Sequence, residues 1–430
     1  MVSADSHSNL LKLVSKIKHH AEDIENQLRL SGRPEPSFEK TSIEVPDTPE
    51  YTAARASLND AANDLLLLVN GPKAHFRSLF CYHHDLAAFQ VAFELDFFNN
   101  VPFSGVVTIP QLAEAVKVDE DRVGRIMRFL TTHRVFTETE PGFFGHNSFS
   151  VLFAKDSEIY AAAHYQLDEF FKAASEASEG IRSSPYLSDN MHSPFQTRFG
   201  VPLFQYYQQN PKSVARFGKA LKGIAKLDRQ VHELKGGFPW EKFEGGKIVD
   251  IGGASGHASI WLARLYPQLE FIVQDGSEDL LAQGKGQNLS DIGSRVTFMK
   301  HDFFQTQPQL NAGAYFIRQV LHNWNDDDCV RILKAVVPAL EKCNPNTPLL
   351  INETILPEPG TLSRYEEHSL RQVDMLVMVA LGAKQRTQAE FQDLLHQADP
   401  CLEIVRVYGT GSMGLLEVQM IKDSDATKGG

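Results

Sequence analysis

The residues best placed to do chemistry begin at a glycine-rich turn. Lys247-Ile248-Val249-Asp250 is a short β-branched run that leads into Gly252-Gly253-Ala254-Ser255-Gly256, and a helical segment from Ala258 to Tyr266 follows. Glycines at such a strand-to-helix turn let the backbone approach a ligand where a side chain would collide with it. Asp250, Gly252, Gly253 and Gly256 are therefore candidate ligand-binding residues. The next apolar run ends at Asp275, about 20 positions further on, where a carboxylate can accept hydrogen bonds from ribose hydroxyls. The run after that ends Met299-Lys300-His301-Asp302-Phe303-Phe304. It adds a second carboxylate, Asp302, and an aromatic face, Phe303, suited to a purine ring.

A glycine-rich turn also fits dinucleotide enzymes, so the acidic residues decide. Carboxylates at successive strand ends suit a nucleoside that carries no phosphates, whereas a pyrophosphate would be poorly served by that much negative charge. The pattern points to S-adenosylmethionine rather than a dinucleotide. The plainer alternative for Asp275 and Asp302 is that each caps a helix.

The elements that must hold these groups follow from periodicity. From about Tyr206 onward, helical segments alternate with short apolar runs: Ile248 to Ile251, Glu270 to Val273, Val296 to Met299, Ala314 to Ile317 and Pro348 to Ile351. This alternation predicts a parallel sheet covered by helices on both faces. The N-terminal half reads differently. Leu10, Val14, Ile17, Ala21, Ile24 and Leu28 place one apolar stripe on a helix, Gly32 to Pro49 reads as a linker, and helical periodicity resumes from Tyr51 to Val69. From Val107 to Phe149, a short helix, a turn at Val118-Asp119, a second helix over Asp121 to His133 and a hairpin turning at Pro141-Gly142 make a winged-helix pattern. The predicted organisation is an N-terminal helix and linker over 1–50, a helical winged-helix domain over 51–200 and a cofactor-binding domain over 201–424.

Composition excludes several classes. At 430 residues with 42% apolar content, the chain can bury two or three cores. Its longest apolar runs, such as Leu65 to Val69 and Met375 to Leu381, are too short for a bilayer, so no membrane partner is expected. Met1 to His7 lacks the basic start and apolar core of a secretory signal, which predicts a cytoplasmic protein. Cys81, Cys329, Cys343 and Cys401 lie far apart without metal-ligand spacing, so neither a disulfide framework nor a structural metal is expected. Arg122, Arg125, Arg128 and Arg134 could serve a DNA-reading helix. However, their acidic neighbours Asp119, Glu120 and Asp121 and the net charge of −12 argue against a nucleic-acid partner.

With Asp250-Ile251-Gly252-Gly253, Val273-Gln274-Asp275, Leu321-His322-Asn323-Trp324, Ile355-Leu356-Pro357 and Lys384-Gln385-Arg386-Thr387 in this order, the chain resembles the plant-type small-molecule O-methyltransferases, especially their fungal secondary-metabolism branch. The resemblance covers nearly the whole chain. It implies an α/β fold, with a Rossmann-like S-adenosylmethionine domain preceded by an α-helical winged-helix dimerisation domain. It also implies a homodimer with intertwined N-terminal helices and a small-molecule substrate held between the two halves.

The same resemblance implies roles for individual residues. His322 would be the general base that takes the proton from a phenol or enol hydroxyl, chemistry that suits an imidazole at neutral pH. Arg318, four residues earlier, matches a basic position facing the cofactor, where it would pair with the methionine carboxylate or bridge to a surface acid. Glu353 matches the first of two acidic residues that orient the histidine. The second is a glutamate in a Lys-Glu-Arg-Thr motif, and this chain departs from it with Gln385. A carboxamide can accept from the imidazole but supplies no charge to stabilise an imidazolium, so the base should be weaker. Asn323 stands where many members carry aspartate, and Met375 and Met378, near Asp374, sit on a helix that faces the substrate. His133, His164 and Tyr165 are candidate pocket donors, with ordinary helix residues as the alternative. Phe93, Phe97, Phe98 and Phe204-Gln205-Tyr206-Tyr207 either line an apolar pocket or pack a core.

An O-methyltransferase acting on a small polyketide-like metabolite is the first functional reading. The departures keep a second, an S-adenosylmethionine-binding pericyclase of the same family, which needs shape and polar groups but no strong base. A non-catalytic binding subunit is the third.

Overall fold

The alternation of apolar residues along the short runs of the C-terminal half decides the architecture. In the computed structural model, which describes residues 8–42, 44–227, 234–235, 238–243, 246–409 and 413–421, the chain divides into two compact units. The Met1 to His7 segment read above for a secretory signal lies outside the described residues.

The first unit comprises Met1–Lys172, Tyr207–Lys226 and Pro359–Ser369. The amphipathic stripe forms the helix Asn9–Leu30, which packs on the long helix Pro49–Leu79. Gly71, at φ +68°, kinks the latter just before Pro72. The winged helix is present. Strand β1 (Val107–Thr108) precedes the helices Ile109–Val116 and Glu120–Thr132, which Thr108 and Asp119 cap with their side chains. Strands β2 (Thr137–Glu140) and β3 (Phe143–Gly145) form the wing, with β3 central in the order β1-β3-β2. Phe93, Phe97 and Phe98 are buried with Leu112, Val123, Met127, Leu130 and Phe144, so this aromatic cluster packs a core. Arg122, Arg125 and Arg128 pair with Asp119, Asp121 and Glu138 on the same helix and wing.

The second unit comprises Ala173–Tyr206, Leu227–Glu358 and Leu370–Gly430. Its strands are β4 (Lys247–Ile251), β5 (Glu270–Asp275), β6 (Val296–Lys300), β7 (Ala314–Arg318), β8 (Leu349–Glu353), β9 (Ile355–Leu356), β10 (Arg386–Thr387), β11 (Leu402–Tyr408) and β12 (Gly414–Met420). Seven of them form one sheet in the order β11-β12-β8-β7-β4-β5-β6. Strands β6, β5, β4, β7 and β8 run parallel, as the sequence pattern predicts. The C-terminal hairpin is the correction to an all-parallel reading: β12 runs antiparallel to β8, and β11 antiparallel to β12. Successive residues face opposite sides. Val249 and Ile251 join a core with the helices Asp326–Leu340 and Gln388–Ala398, while Ile248, Phe271 and Phe316 join one with the helix His257–Leu265.

Strand β4 has β5 on one side and β7 on the other, so the chain leaves the sheet centre in opposite directions. Such a reversal opens a crevice at the carboxyl ends of the strands, and the candidate residues end up there.

Candidate active site

The cofactor end is built by the turn after β4. Gly252 has φ +73°, and a Cβ there would lie 2.7 Å from Val320 Cγ2 and 3.6 Å from the Phe303 ring. A Cβ on Gly253 would lie 2.4 Å from the Asp250 carboxylate. The turn thus packs closely against both of its flanks, and any side chain at these positions would push it out of place. Asp250 is buried and accepts a 2.6 Å hydrogen bond from the Ser259 hydroxyl. Burial pushes its carboxyl up to about 6, against the opposing effects of Ser259 and the Arg318 charge.

Asp275 closes the other side of the turn. Its Oδ2 accepts from the Ala254 amide at 3.0 Å and its Oδ1 from the Ser277 amide at 2.8 Å. Each oxygen retains a second lone pair, and the carboxylate is fixed against the turn at φ +51° of Ala254. Asp302 is exposed and accepts from the Phe304 amide at 3.0 Å. Neither residue caps a helix; Ser277 caps Glu278–Lys285 instead. Phe303 is half-buried, with Phe304 and Trp324 beside it, and its ring faces Gly252. A close-packed glycine turn, an anchored carboxylate, an exposed carboxylate and an aromatic face fit an adenosine-type group, and carboxylates dominate where a diphosphate would need donors.

Sequence reasoning passed over His257, the first residue of the helix after Gly256. It is accessible yet walled by protein, and this desolvation, with the Arg318 charge, lowers its imidazole to about 4. Arg318 is buried at the end of β7, where it donates to the Asn352 side chain and acts electrostatically on Asp250 and His257.

The second cluster lies beyond β7 and β8. His322 Nδ1 is 3.5 Å from Glu353 Oε2. The other oxygen, Oε1, accepts from the amides of Val320 and Leu321, both at 2.8 Å, which aims the carboxylate at the ring. Gln385 brings its carboxamide to 3.4 Å from the same Nδ1. All three side chains are buried. What unites them is a two-stranded pairing of quoted motifs: β9 lies parallel to β10 with Ile355 opposite Arg386, which brings Gln385 towards Glu353. Imidazole Nδ1 donates to Glu353 in the tautomer that leaves Nε2 basic; the Gln385 atom nearest the same Nδ1 is its Nε2, itself a donor.

Arg386 locks this arrangement and could have been found from its place in the motif. It is fully buried, donates to the backbone oxygens of Leu321 (3.0 Å) and Trp324 (2.9 Å), and pairs with Asp326 at 2.8 Å. Asp374 holds the other side by accepting from the Gln385 amide at 2.8 Å. Asn323 donates to the Gln319 carbonyl at 3.3 Å. Met375 is exposed and Met378 half-buried on the helix Arg364–Leu381.

The three candidate donors of the first unit have partners of their own. His133 Nε2 is 2.6 Å from Asp85 Oδ1, and His164 Nε2 is 2.9 Å from Glu94 Oε2. Tyr165 is buried among Phe170, Tyr207 and Phe217, which makes it a core residue.

Comparison with known proteins gives the family. Residues 184–399 match the O-methyltransferase domain and residues 78–156 the O-methyltransferase dimerisation domain. The chain belongs to the O-methyltransferase family, and S-adenosylmethionine is its cofactor. Within that family its place is fungal. It is 50% identical over 415 residues to the O-methyltransferase sol2 of Alternaria solani, covering 96% of each chain. Among solved structures, OxaC shares the fold at 22% identity with a TM-score of 0.76, over 96% of this chain and 99% of that one. A protein described as a pericyclic reaction enzyme shares it at 21% identity with a TM-score of 0.71, over 96% and 100%.

Proposed function

We propose that this enzyme of fungal secondary metabolism methylates a phenol or enol hydroxyl of a small polyketide-like compound, with His322 as general base. The observation that carries the proposal is the Glu353 carboxylate, fixed by two backbone amides and set 3.5 Å from Nδ1 of a buried histidine. This pairing holds the proton on Nδ1 and directs Nε2 to take the acceptor's proton.

Bound cofactor supplies a methyl group on a sulfonium, which leaves as a neutral thioether. The chain's residues do the rest. Asp275 and Asp302 would receive the ribose hydroxyls, Phe303 would cover the purine, and the turn at Gly252, Gly253 and Gly256 would take the backbone close to the ligand. Arg318 offers a cation to the methionine carboxylate. His322 would take the proton of the acceptor hydroxyl, and rate would come from holding that hydroxyl in line with the transferable group while the base is in reach.

We also infer a homodimer through the N-terminal helices. Leu66, Leu67, Leu68 and Val69, with Phe76 and Phe80 further along, are exposed on or just beyond the helix Pro49–Leu79. That run of apolar surface suits a second copy of the dimerisation domain.

The test is S-adenosylhomocysteine release when the purified protein is incubated with S-adenosylmethionine and phenolic, enolic and pyridone acceptors. Release in step with methylated product is the expected result. Product formed with the cofactor unchanged would instead establish the pericyclase reading.

A further inference from the structure

The helix Asn9–Leu30 carries a group of side chains that methyl transfer does not use. His19, His20 and Asp23 stand three and four positions apart on it, and residues so spaced share one helix face. Both imidazoles therefore reach a single carboxylate oxygen: His19 Nε2 lies 3.7 Å and His20 Nδ1 3.4 Å from Asp23 Oδ2. One donor atom from each of the three lies within 4.8 Å of the others. The two rings are tilted 46° to each other with centroids 5.2 Å apart, so they do not stack.

This spacing is that of ligands around a metal. A tetrahedral zinc with ligands at about 2.0–2.1 Å sets neighbouring donor atoms about 3.3 Å apart. The two separations from Asp23 exceed that by a few tenths of an ångström at most, which small side-chain rotations cover, since His19 is exposed and the other two are half-buried. Two imidazoles beside a carboxylate suit zinc better than calcium or magnesium, which take mainly oxygen ligands.

The neighbouring helix contributes to the same place. A cavity of about 330 Å³ is lined by His20, Asp23 and Gln27 of the helix Asn9–Leu30 and by Glu50 and Ser57 of the helix Pro49–Leu79. Glu50, exposed in the first turn of its helix, puts a further carboxylate on the cavity wall. A second triad, Glu94, His164 and Asp168, also gathers donor atoms. There Lys172 and Arg216 already pair with Asp168, whereas the ion pairs of Asp23 are with the two imidazoles themselves.

We propose that His19, His20 and Asp23 bind a zinc ion that Glu50 completes from the facing helix, so that the metal fastens the helix Asn9–Leu30 to the helix Pro49–Leu79. Cysteine spacing gives no sign of such a site, because its donors are imidazoles and carboxylates gathered by helix pitch and by the packing of two helices.

The test titrates the full-length protein, freed of metal with a chelator, with zinc chloride alone by calorimetry. One equivalent per chain should bind. His20→Ala and Asp23→Asn should each weaken binding at least ~10-fold, and Glu50→Gln should weaken it as well, with far-ultraviolet circular dichroism showing that each variant keeps its helices. Cobalt(II) in place of zinc should give the strong visible absorption of a tetrahedral site, lost in His20→Ala. His83→Ala combined with His84→Ala removes another exposed histidine pair, with ring centroids 3.8 Å apart, and should leave the titration unchanged. No saturable binding, or binding that His20→Ala and Asp23→Asn leave intact, would overturn the site. Half an equivalent per chain, or zinc binding that Glu50→Gln does not alter, would overturn the staple between the two helices.

Discussion

Glu353 and His322 meet across the ends of neighbouring parallel strands, with Oε2 3.5 Å from Nδ1, and the amides of Val320 and Leu321 hold the carboxylate from behind. The chain that leaves β7 therefore supplies both the histidine and the donors that aim its partner. Replacing His322 with alanine should lower kcat by about 10²- to 10⁴-fold, the usual worth of a general base, with little change in cofactor affinity. Steady-state rates and calorimetric binding of S-adenosylhomocysteine check both halves. Equal loss in rate and in binding would show that the ring serves the cofactor site instead.

Asp275 should govern cofactor binding rather than chemistry. Its carboxylate is fixed by the Ala254 and Ser277 amides, and hydrogen bonds to a charged group are worth about 1.5–3 kcal/mol each. Asp275→Ala is expected to weaken S-adenosylmethionine binding by about 10- to 100-fold. An unchanged dissociation constant would remove Asp275 from the ribose site.

Arg386 is a structural lock whose loss should be felt in stability first. Arg386→Met leaves the Leu321 and Trp324 carbonyls with only the weak Cys329 thiol as side-chain donor in a buried setting, at a cost of about 3 kcal/mol. Chemical denaturation measures this directly. The same variant should lower kcat, because the loop that carries His322 loses its anchor.

Asp250 and His257 make opposite contributions to the pH dependence of folding. The Asp250 carboxyl stands at about 6, above its ordinary 3.8, so between pH ~4 and ~6 the folded chain binds more protons than the unfolded one. Stability from this group falls as pH rises through that window. The His257 imidazole stands at about 4, below its ordinary 6.5, so stability from it rises with pH over nearly the same range. Comparing wild type with Asp250→Asn cancels the histidine. The variant's advantage in unfolding free energy should grow by up to about 3 kcal/mol between pH 4 and pH 6 and then level off. A difference flat with pH would mean that the Asp250 carboxyl titrates normally.

The exposed apolar run should report on assembly. Leu68→Glu together with Val69→Glu places two charges on surface that is 58% and 64% exposed in the single chain. Light scattering should show a dimer for wild type and a monomer for the double variant. A double variant that remains dimeric would place the interface elsewhere.

Much of this was legible along the chain. Strand runs, the glycine turn and the winged helix all declare themselves locally, because a period of two or 3.6 and a few turn residues suffice to specify them. Asp250, Asp275 and Asp302 are readable for the same reason: each falls at or just beyond the end of an apolar run, and parallel strands put those ends on one edge. His322, Glu353 and Gln385 needed the order of whole motifs, since nothing in their spacing says that they touch. Their meeting depends on β9 lying beside β10, a contact between residues some thirty positions apart.

Tertiary structure alone decided the rest. It turned Tyr165 into a core residue, gave His133 and His164 acidic partners, and closed the sheet with an antiparallel hairpin at β11 and β12. It also made Arg386 a buried lock and His257 a desolvated imidazole beside a cation. The physical reason is common to all of these. Residue type and period determine which face of an element is apolar. The protonation and partners of a polar side chain depend on what packs against it, and that is set only when distant segments are brought together.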